Sequence, residues 1–367
     1  MGEGPGTGDP WQDRPGLSNV PSVRVPDFSS LSVLVVGDLI ADHWLYASPR
    51  RLSREAPVLV LRHERERMGA GGAANVARNL RALGAEVSVL GAVGKDAHGR
   101  ELLTFLEDEG IDTSGVELVP GMTTPTKTRI LAAEPRRSLQ QILRIDRDPV
   151  APLPAEIRAR VAARAFALGQ HSDAVVVSDY EYGCASREVG AAASELATNG
   201  RVVVLDPRSS IEGYEGLTAL TPNVGEVAHL ARGAAFVPET LDDPAALRVA
   251  ARELLHRAAC RYLLVTRGNL GMALFGRVAD QIPEEGIAVE ASGDGEVTDV
   301  CGAGDTAASV FALALAAGAK PAEAMVLANA ASGVVVMEHG AAVCPPQELA
   351  EALVSAPPAV RFAAQAP

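Results

Sequence analysis

From residue 31 onward the chain alternates short continuous apolar runs with longer stretches of helical period. The first run, LSVLVVGDLIAD, reads as a strand that ends in Gly37-Asp38, buried on both faces and closed by a functional loop. Residues 87–90, 174–177, 202–205 and 263–265 repeat the pattern. Between most of them lie amphipathic segments, AANVARNLRALG, PAEIRARVAARAFALG, REVGAAASELATNG, DPAALRVAARELLHRAA and AGDTAASVFALALAAG, each stopping near a Gly or the next strand. Strand, helix, strand at this spacing predicts right-handed βαβ units: an α/β fold with a mainly parallel central sheet and helices on both faces. Near 44–68 and 116–146 the pattern changes to alternation with Pro punctuation, which predicts short antiparallel strands forming a small β lid. Residues 1–30 are too poor in apolar side chains to offset their ordering entropy and are expected to be a disordered leader. The main domain is expected over 31–355, and residues 356–367 as a flexible tail.

Composition narrows the function classes. With 33 Lys plus Arg against 46 Asp plus Glu the formal net charge is −13, which argues against binding nucleic acid or an anionic membrane through overall charge. Any phosphate must then be met locally. Lys95, Lys127 and Lys320 are the only lysines, so nearly all positive charge is arginine. Cys184, Cys260, Cys301 and Cys344 are too far apart for a zinc or thioredoxin-like motif and read as reduced thiols. Neither a secretory signal nor a run of the roughly 20 apolar residues needed to span a bilayer is present, so a cytoplasmic protein is expected.

Two segments carry chemistry. In VTDVCGAGDTAASVFALALAAG, Gly302-Ala303-Gly304 brings small residues to a helix start, where backbone N–H groups and the dipole favour an anion. Asp305 follows in the first turn, badly placed to bind a phosphate but well placed to take a proton from a hydroxyl attacking one. Taken alone, the same residues fit a Gly-rich turn followed by an N-terminal Asp. In GGAANVARNLRALGAEVSVLGAVGKD, paired glycines at 71 and 72 allow close approach to the backbone, and Asn75 offers a donor and an acceptor to a polyol. That segment alone fits a strand-to-helix turn capped by Asn. Both together, in this order and about 230 residues apart, favour phosphoryl transfer to a sugar.

On these two segments the chain resembles the ribokinase or PfkB family of sugar kinases, over residues from 31 to about 351. The closer likeness is to family members acting on D-glycero-β-D-manno-heptose 7-phosphate. It is carried by Val35-Val36-Gly37-Asp38 with Asp42, Arg51-Leu52-Ser53 with Glu55-Ala56-Pro57-Val58, Thr126-Lys127-Thr128-Arg129, Leu143-Arg144-Ile145-Asp146, Ser178-Asp179-Tyr180, Asp206-Pro207, and Leu220-Thr221-Pro222-Asn223 with Glu226.

The resemblance implies a ribokinase-like three-layer α/β/α domain and transfer of the ATP γ-phosphoryl group to the anomeric hydroxyl, giving a 1,7-bisphosphate for ADP-heptose synthesis. It makes Asp305 the general base and gives the anion cradle to the amides of Gly302, Ala303 and Gly304. Asp38, Asp42, Gly71, Gly72, Asn75 and Asp179 would hold the sugar, with Arg51, Lys127, Arg129 and Arg144 as cations for its phosphate. Asn223 and Glu226 match an Asn-x-x-Glu motif that organises Mg²⁺ through water. Arg208, Thr266, Arg267, Gly268, Gly271 and Asn329 would serve ATP, and K⁺ is a further candidate ion. The lid implies a homodimer. The relatives carry Lys where Tyr182 and Arg208 stand, Thr or Ser where Cys301 stands and Pro where Arg54 stands; Cys301 is expected to sensitise the site to thiol reagents. No His-x-Gly-His nucleotidyltransferase motif occurs, so a separate adenylyltransferase is expected. The alternatives are a PfkB-type kinase for ribose or a hexose phosphate, and a silent sugar- or nucleotide-binding regulator.

Overall fold

The computed structural model describes residues 23–133, 139–231, 237–276, 285–293 and 297–362. In chain order the elements are β1 (Ser32–Gly37), β2 (Leu39–Leu52), β3 (Leu59–Gly72), α1 (Ala73–Ala82), β4 (Glu86–Leu90), β5 (Ala92–Gly94), α2 (Ala97–Asp108), β6 (Glu117–Val119), β7 (Thr126–Ala132) and β8 (Gln140–Arg147). There follow α3 (Ala155–Gly169), β9 (Ala174–Ser178), α4 (Arg187–Thr198), β10 (Val202–Asp206), β11 (Ala219–Leu220), α5 (Val224–Leu230), α6 (Pro244–Ala258) and β12 (Tyr262–Thr266). Last come β13 (Met272–Gly276), β14 (Ile287–Val289), α7 (Ala303–Ala316), α8 (Pro321–Val335), α9 (Pro346–Val354) and β15 (Val360–Arg361).

Nine strands form the main sheet in the order β15-β14-β13-β12-β11-β10-β9-β1-β4. From β4 to β12 neighbours pair parallel; β13, β14 and β15 add an antiparallel end. Alternate side chains of one strand enter opposite layers, which is why its sequence is apolar without a break. In β1, Val33 and Val35 join the core built with α1, α2, α7, α8 and α9, while Leu34 and Val36 join the core under α3, α4, α5 and α6. The three-layer α/β/α arrangement is present as expected.

The lid departs from the expectation. It is a four-stranded sheet, β3-β2-β7-β8, whose first hairpin spans residues 39–72 and so begins one residue after β1 and ends directly at α1. Its strands β2 and β3 are 14 residues each, and β2 pairs with β7 in parallel. Residues 117–119, expected in the lid, pair with β5 in a separate two-stranded sheet. Folded packing also starts before residue 31, because Phe28 is buried and Val23 and Val25 pack against the same core. At the other end Val360–Arg361 pairs with β14 and Phe362 is buried, so a flexible tail from 356 does not describe these residues. Most of the expected leader, residues 1–22, and residues 363–367 lie outside the described residues.

Candidate active site

Gly302 sits at φ +82° as the N-cap of α7, and a Cβ there would lie 2.7 Å from Asn75 Nδ2. The left-handed turn is therefore available only to Gly. It places Asp305 in the first helical turn, buried. Oδ2 of Asp305 accepts from Asn75 Nδ2 at 2.8 Å and Oδ1 accepts from Tyr180 Oη at 2.9 Å. Burial pushes the Asp305 carboxyl up to about 6, and these two donors hold it down. The amides of Gly302 and Gly304 have no acceptor among the described residues, whereas the Ala303 amide donates to the Val300 carbonyl at 3.3 Å. Ala303 therefore drops out of the expected cradle.

Facing α7 is the inner surface of the lid. Asp42 on β2 stands level with Lys127 on β7, and Lys127 with Asp146 on β8; Arg129 stands level with Arg144. Arg129 Nη1 pairs with Asp42 Oδ1 at 2.6 Å and Nη2 donates to Cys301 Sγ at 3.4 Å. The Lys127 ammonium lies 5.2 Å from the Tyr180 ring centroid, and Arg144 is held by Asp146 at 2.7 Å. Together Asp42, Gly71, Gly72, Lys127, Arg129, Tyr180, Cys301, Gly302 and Asp305 line a cavity of about 60 Å³, and Arg129 also lines a neighbouring one of about 290 Å³. The Cys301 thiol is pushed up to about 11 by burial, which keeps it neutral and runs against the expected sensitivity to thiol reagents.

Four expected sugar ligands are placed otherwise. Asp38 Oδ2 accepts the backbone N–H groups of Tyr180 and Tyr182 and Oδ1 that of Cys184, so its carboxylate, buried, fastens the 180–184 loop. Asn75 is spent on Asp305. Asp179 accepts from the Glu181 and Arg208 amides and does not line the cavity. Arg51 lies nine residues up β2 from Asp42, about 30 Å at the rise of a strand, exposed near the lid tip. A carboxylate at a strand end looks the same in sequence whether it meets a sugar or three amides.

Beside the cavity, the carboxyl ends of β9, β10, β11 and β12 stand in one row, the place where open parallel sheets bind ligands. There Asn223 and Glu226 form a capping box at α5, with Asn223 Oδ1 accepting from the Glu226 amide at 2.9 Å and Glu226 Oε2 accepting from the Asn223 amide at 2.8 Å. Glu226 Oε1 also accepts from Arg208 at 3.0 Å, and burial pushes its carboxyl up. Asp206 lies in the same row, its carboxyl pushed well up by burial and by the charges of Asp305 and Glu226. Thr266 bridges to Asn223, and Gly268 and Gly271 turn the chain after β12 at positive φ. The Arg267 guanidinium is turned onto the Phe362 ring at 5.1 Å, and Asn329 Nδ2 is engaged by the Glu290 carbonyl and Ser292 Oγ, both at 2.8 Å. The Arg267 Nε has no hydrogen-bond partner among the described residues, and the Asn329 contacts engage its amide nitrogen. Tyr182, in place of a Lys, donates to Asp148 at 2.6 Å.

Two site residues, Tyr180 and Asp206, entered the sequence reading only within the motifs that carry the resemblance and were given no role there. Both stand at the carboxyl ends of buried parallel strands, and that position was the available signal.

A family model described as pfkB family carbohydrate kinase matches residues 30–348. The chain belongs to this family. Its pfkB assignment makes it a carbohydrate kinase, a phosphotransferase with an alcohol group as acceptor. Among curated relatives, the bifunctional protein HldE of Methylococcus capsulatus is 41% identical over 334 residues, covering 90% of this chain and 65% of the relative. HldE of Trichlorobacter lovleyi is 38% identical over 330 residues, covering 89% and 63%. The chain thus spans less than two thirds of the length of these relatives. Among solved structures, Arabidopsis thaliana ribokinase complexed with ribose and ATP superposes with a TM-score of 0.65 at 21% identity, covering 88% of this chain and 98% of that one. Phosphofructokinase-2 of Escherichia coli in complex with substrates and products gives 0.66 at 18%, with the same coverage. These likenesses establish the ribokinase-like fold. No helix of the described residues is long and apolar enough to cross a membrane.

Proposed function

We propose that this pfkB kinase transfers the γ-phosphoryl group of ATP to the anomeric hydroxyl of D-glycero-β-D-manno-heptose 7-phosphate. The observation that carries the reaction type is Asp305: a buried carboxylate, held on both oxygens, beside helix-start amides without a partner and opposite Lys127 and Arg129. Asp305 takes the hydroxyl proton as the sugar oxygen bonds to the γ-phosphorus, the bond to the bridging oxygen breaks, and ADP leaves. The Gly302 and Gly304 amides face the charge on the moving group. Lys127 and Arg129 supply positive charge at the acceptor, with Asp42 orienting Arg129. Support for the heptose comes from the lid and strand-end motifs and from identity of 38–41% to proteins named HldE.

ATP would lie along the row of strand ends. The donor set there fits hydrated Mg²⁺: both Glu226 oxygens already accept a hydrogen bond, and no three His, Cys, Asp or Glu side chains converge on one point among the described residues. Glu226 would hold such an ion through water, and the ion would supply positive charge against the ATP phosphates. A homodimer through the lid is part of the same reading, supported by the exposed Val58, Leu59, Leu143 and Ile145.

The test is ADP release across phosphorylated heptoses, hexoses and pentoses, with Asp305→Asn alongside. The expected result is a preference for the heptose 7-phosphate and a loss of about 10²- to 10⁴-fold in kcat for the variant. Preference for a pentose or hexose phosphate would move the chain to another pfkB sugar kinase. Equal background rates for both proteins on every sugar would leave a silent binding protein.

A further inference from the structure

The segment after β9 makes more contacts with the catalytic region than a connecting loop requires. Its amides at Tyr180, Tyr182 and Cys184 converge on the Asp38 carboxylate at 2.8 to 3.0 Å. Glu181 adopts φ +66°, a conformation that side chains other than Gly rarely take, with its amide held by Asp179. Farther along, the Tyr182 hydroxyl is tied to Asp148, directly after lid strand β8. So much anchoring fixes one side chain in particular. Tyr180 projects to Asp305, its ring covered by the Lys127 ammonium.

The two donors on Asp305 are not equivalent. Asn75 is fully buried behind the carboxylate and takes no part in the cavity wall, whereas Tyr180 and Asp305 both line it. An acceptor hydroxyl must therefore approach from the Tyr180 side, toward Oδ1, where a carboxylate oxygen has room for a second donor.

We propose that Tyr180 is a positioning residue for the base: its hydroxyl, donating to Asp305 Oδ1, fixes the plane of the carboxylate toward the cavity and keeps it ready to accept the sugar's proton. This rests on the reading of Asp305 as the base. Burial and the Asp305 charge push the Tyr180 phenol well above its ordinary range, so it remains a donor across the working pH range. The other groups facing Asp305 are Asn75 on α1, Asp42 and Lys127 on the lid, Cys301 in the turn before α7, and Asp206 at the end of β10; Arg129 faces Asp42 and Cys301. Of these, Asn75 and Tyr180 hydrogen-bond the carboxylate, and only Tyr180 does so at the cavity.

The experiment compares pH profiles of kcat/KM for the sugar phosphate, at saturating ATP, in wild type, Tyr180→Phe and protein carrying 3-fluorotyrosine at position 180. Loss of the donor in Tyr180→Phe is expected to move the acid limb up by about one pH unit and to lower kcat roughly ten- to a hundredfold, with the KM for ATP unchanged. The more acidic fluorophenol donates more strongly, so it is expected to move the limb down. Because that replacement is nearly isosteric, it remains informative where Tyr180→Phe fails to fold. A limb that stays in place in both replacements, whatever happens to kcat, overturns the proposal. Asp305→Asn separates the two levels: if it is inactive while both limbs stay in place, only the positioning role falls, and if it turns over normally the base assignment falls with it.

Discussion

Asp305 is kept in an environment that disfavours its charge. Burial raises its carboxyl from 3.8 to about 6 while Asn75 and Tyr180 partly compensate. As the proposed base, Asp305 acts when ionised, so kcat/KM is expected to rise with pH through an acid limb near 6 and to level off above it, a limb that Asp305→Asn abolishes. Stability follows the opposite sign. A carboxyl whose folded value is raised binds its proton more tightly in the native state, so its ionisation costs stability fully above about 6 and not at all below 3.8. The chain thus accepts a less stable active site at neutral pH, and the placement of this group follows function more closely than folding.

The left-handed turn before α7 is the element on which this geometry depends. Gly302→Ala would force a Cβ to 2.7 Å from Asn75 Nδ2 at φ +82°. The expected result is a loss of about 1–3 kcal/mol in thermal or denaturant unfolding, and a fall in kcat larger than the stability loss explains, because Asn75 is displaced from Asp305. This turn could be read from sequence because Gly-x-Gly-Asp before an apolar helical stretch admits few other structures. The buried strands β1, β9 and β10 could be read for a similar reason, each being a short apolar run with water on neither face. The lid was harder. Alternation near 44–68 and 116–146 marked strands there, but β3 carries RHERER on an exposed stretch and β8 is exposed along its whole length, so strand length and pairing direction carried no burial signal. Short β11, β14 and β15 exist because neighbours supply their partners, and two or three residues carry no periodicity. Site placement divided in the same way: Asp305 in the first turn of α7 followed from the Gly-rich turn before it, whereas Asp38 and Arg51 depended on strand register, which places one against three amides and the other about 30 Å from Asp42. Glu226 is ambiguous for a different reason, since a capping box and an Mg²⁺-organising motif call for the same two residues at the same spacing.

At the scale of the whole molecule, the lid turns Lys127, Arg129, Arg144 and Asp146 to the side of α7, and the alternate positions Leu143 and Ile145 of β8 to the other side, where they are 53% and 42% exposed. A face of this kind is normally covered. Light scattering is expected to give about twice the 38.1 kDa chain mass, and Leu143→Glu with Ile145→Glu to return the monomer mass; a monomeric wild type at working concentration would remove the dimer. The first lid hairpin is also continuous with the body at both roots, leaving β1 across the single residue Asp38 and entering α1 with no linker after Gly72. Asp38 grips the Tyr180 loop, and α1 carries Asn75. The roots and the tip of this hairpin are therefore unequal: a one-residue insertion after β1 is expected to displace the Tyr180 loop and one before α1 to displace Asn75, whereas changes between residues 52 and 59 lie about 30 Å from Asp42.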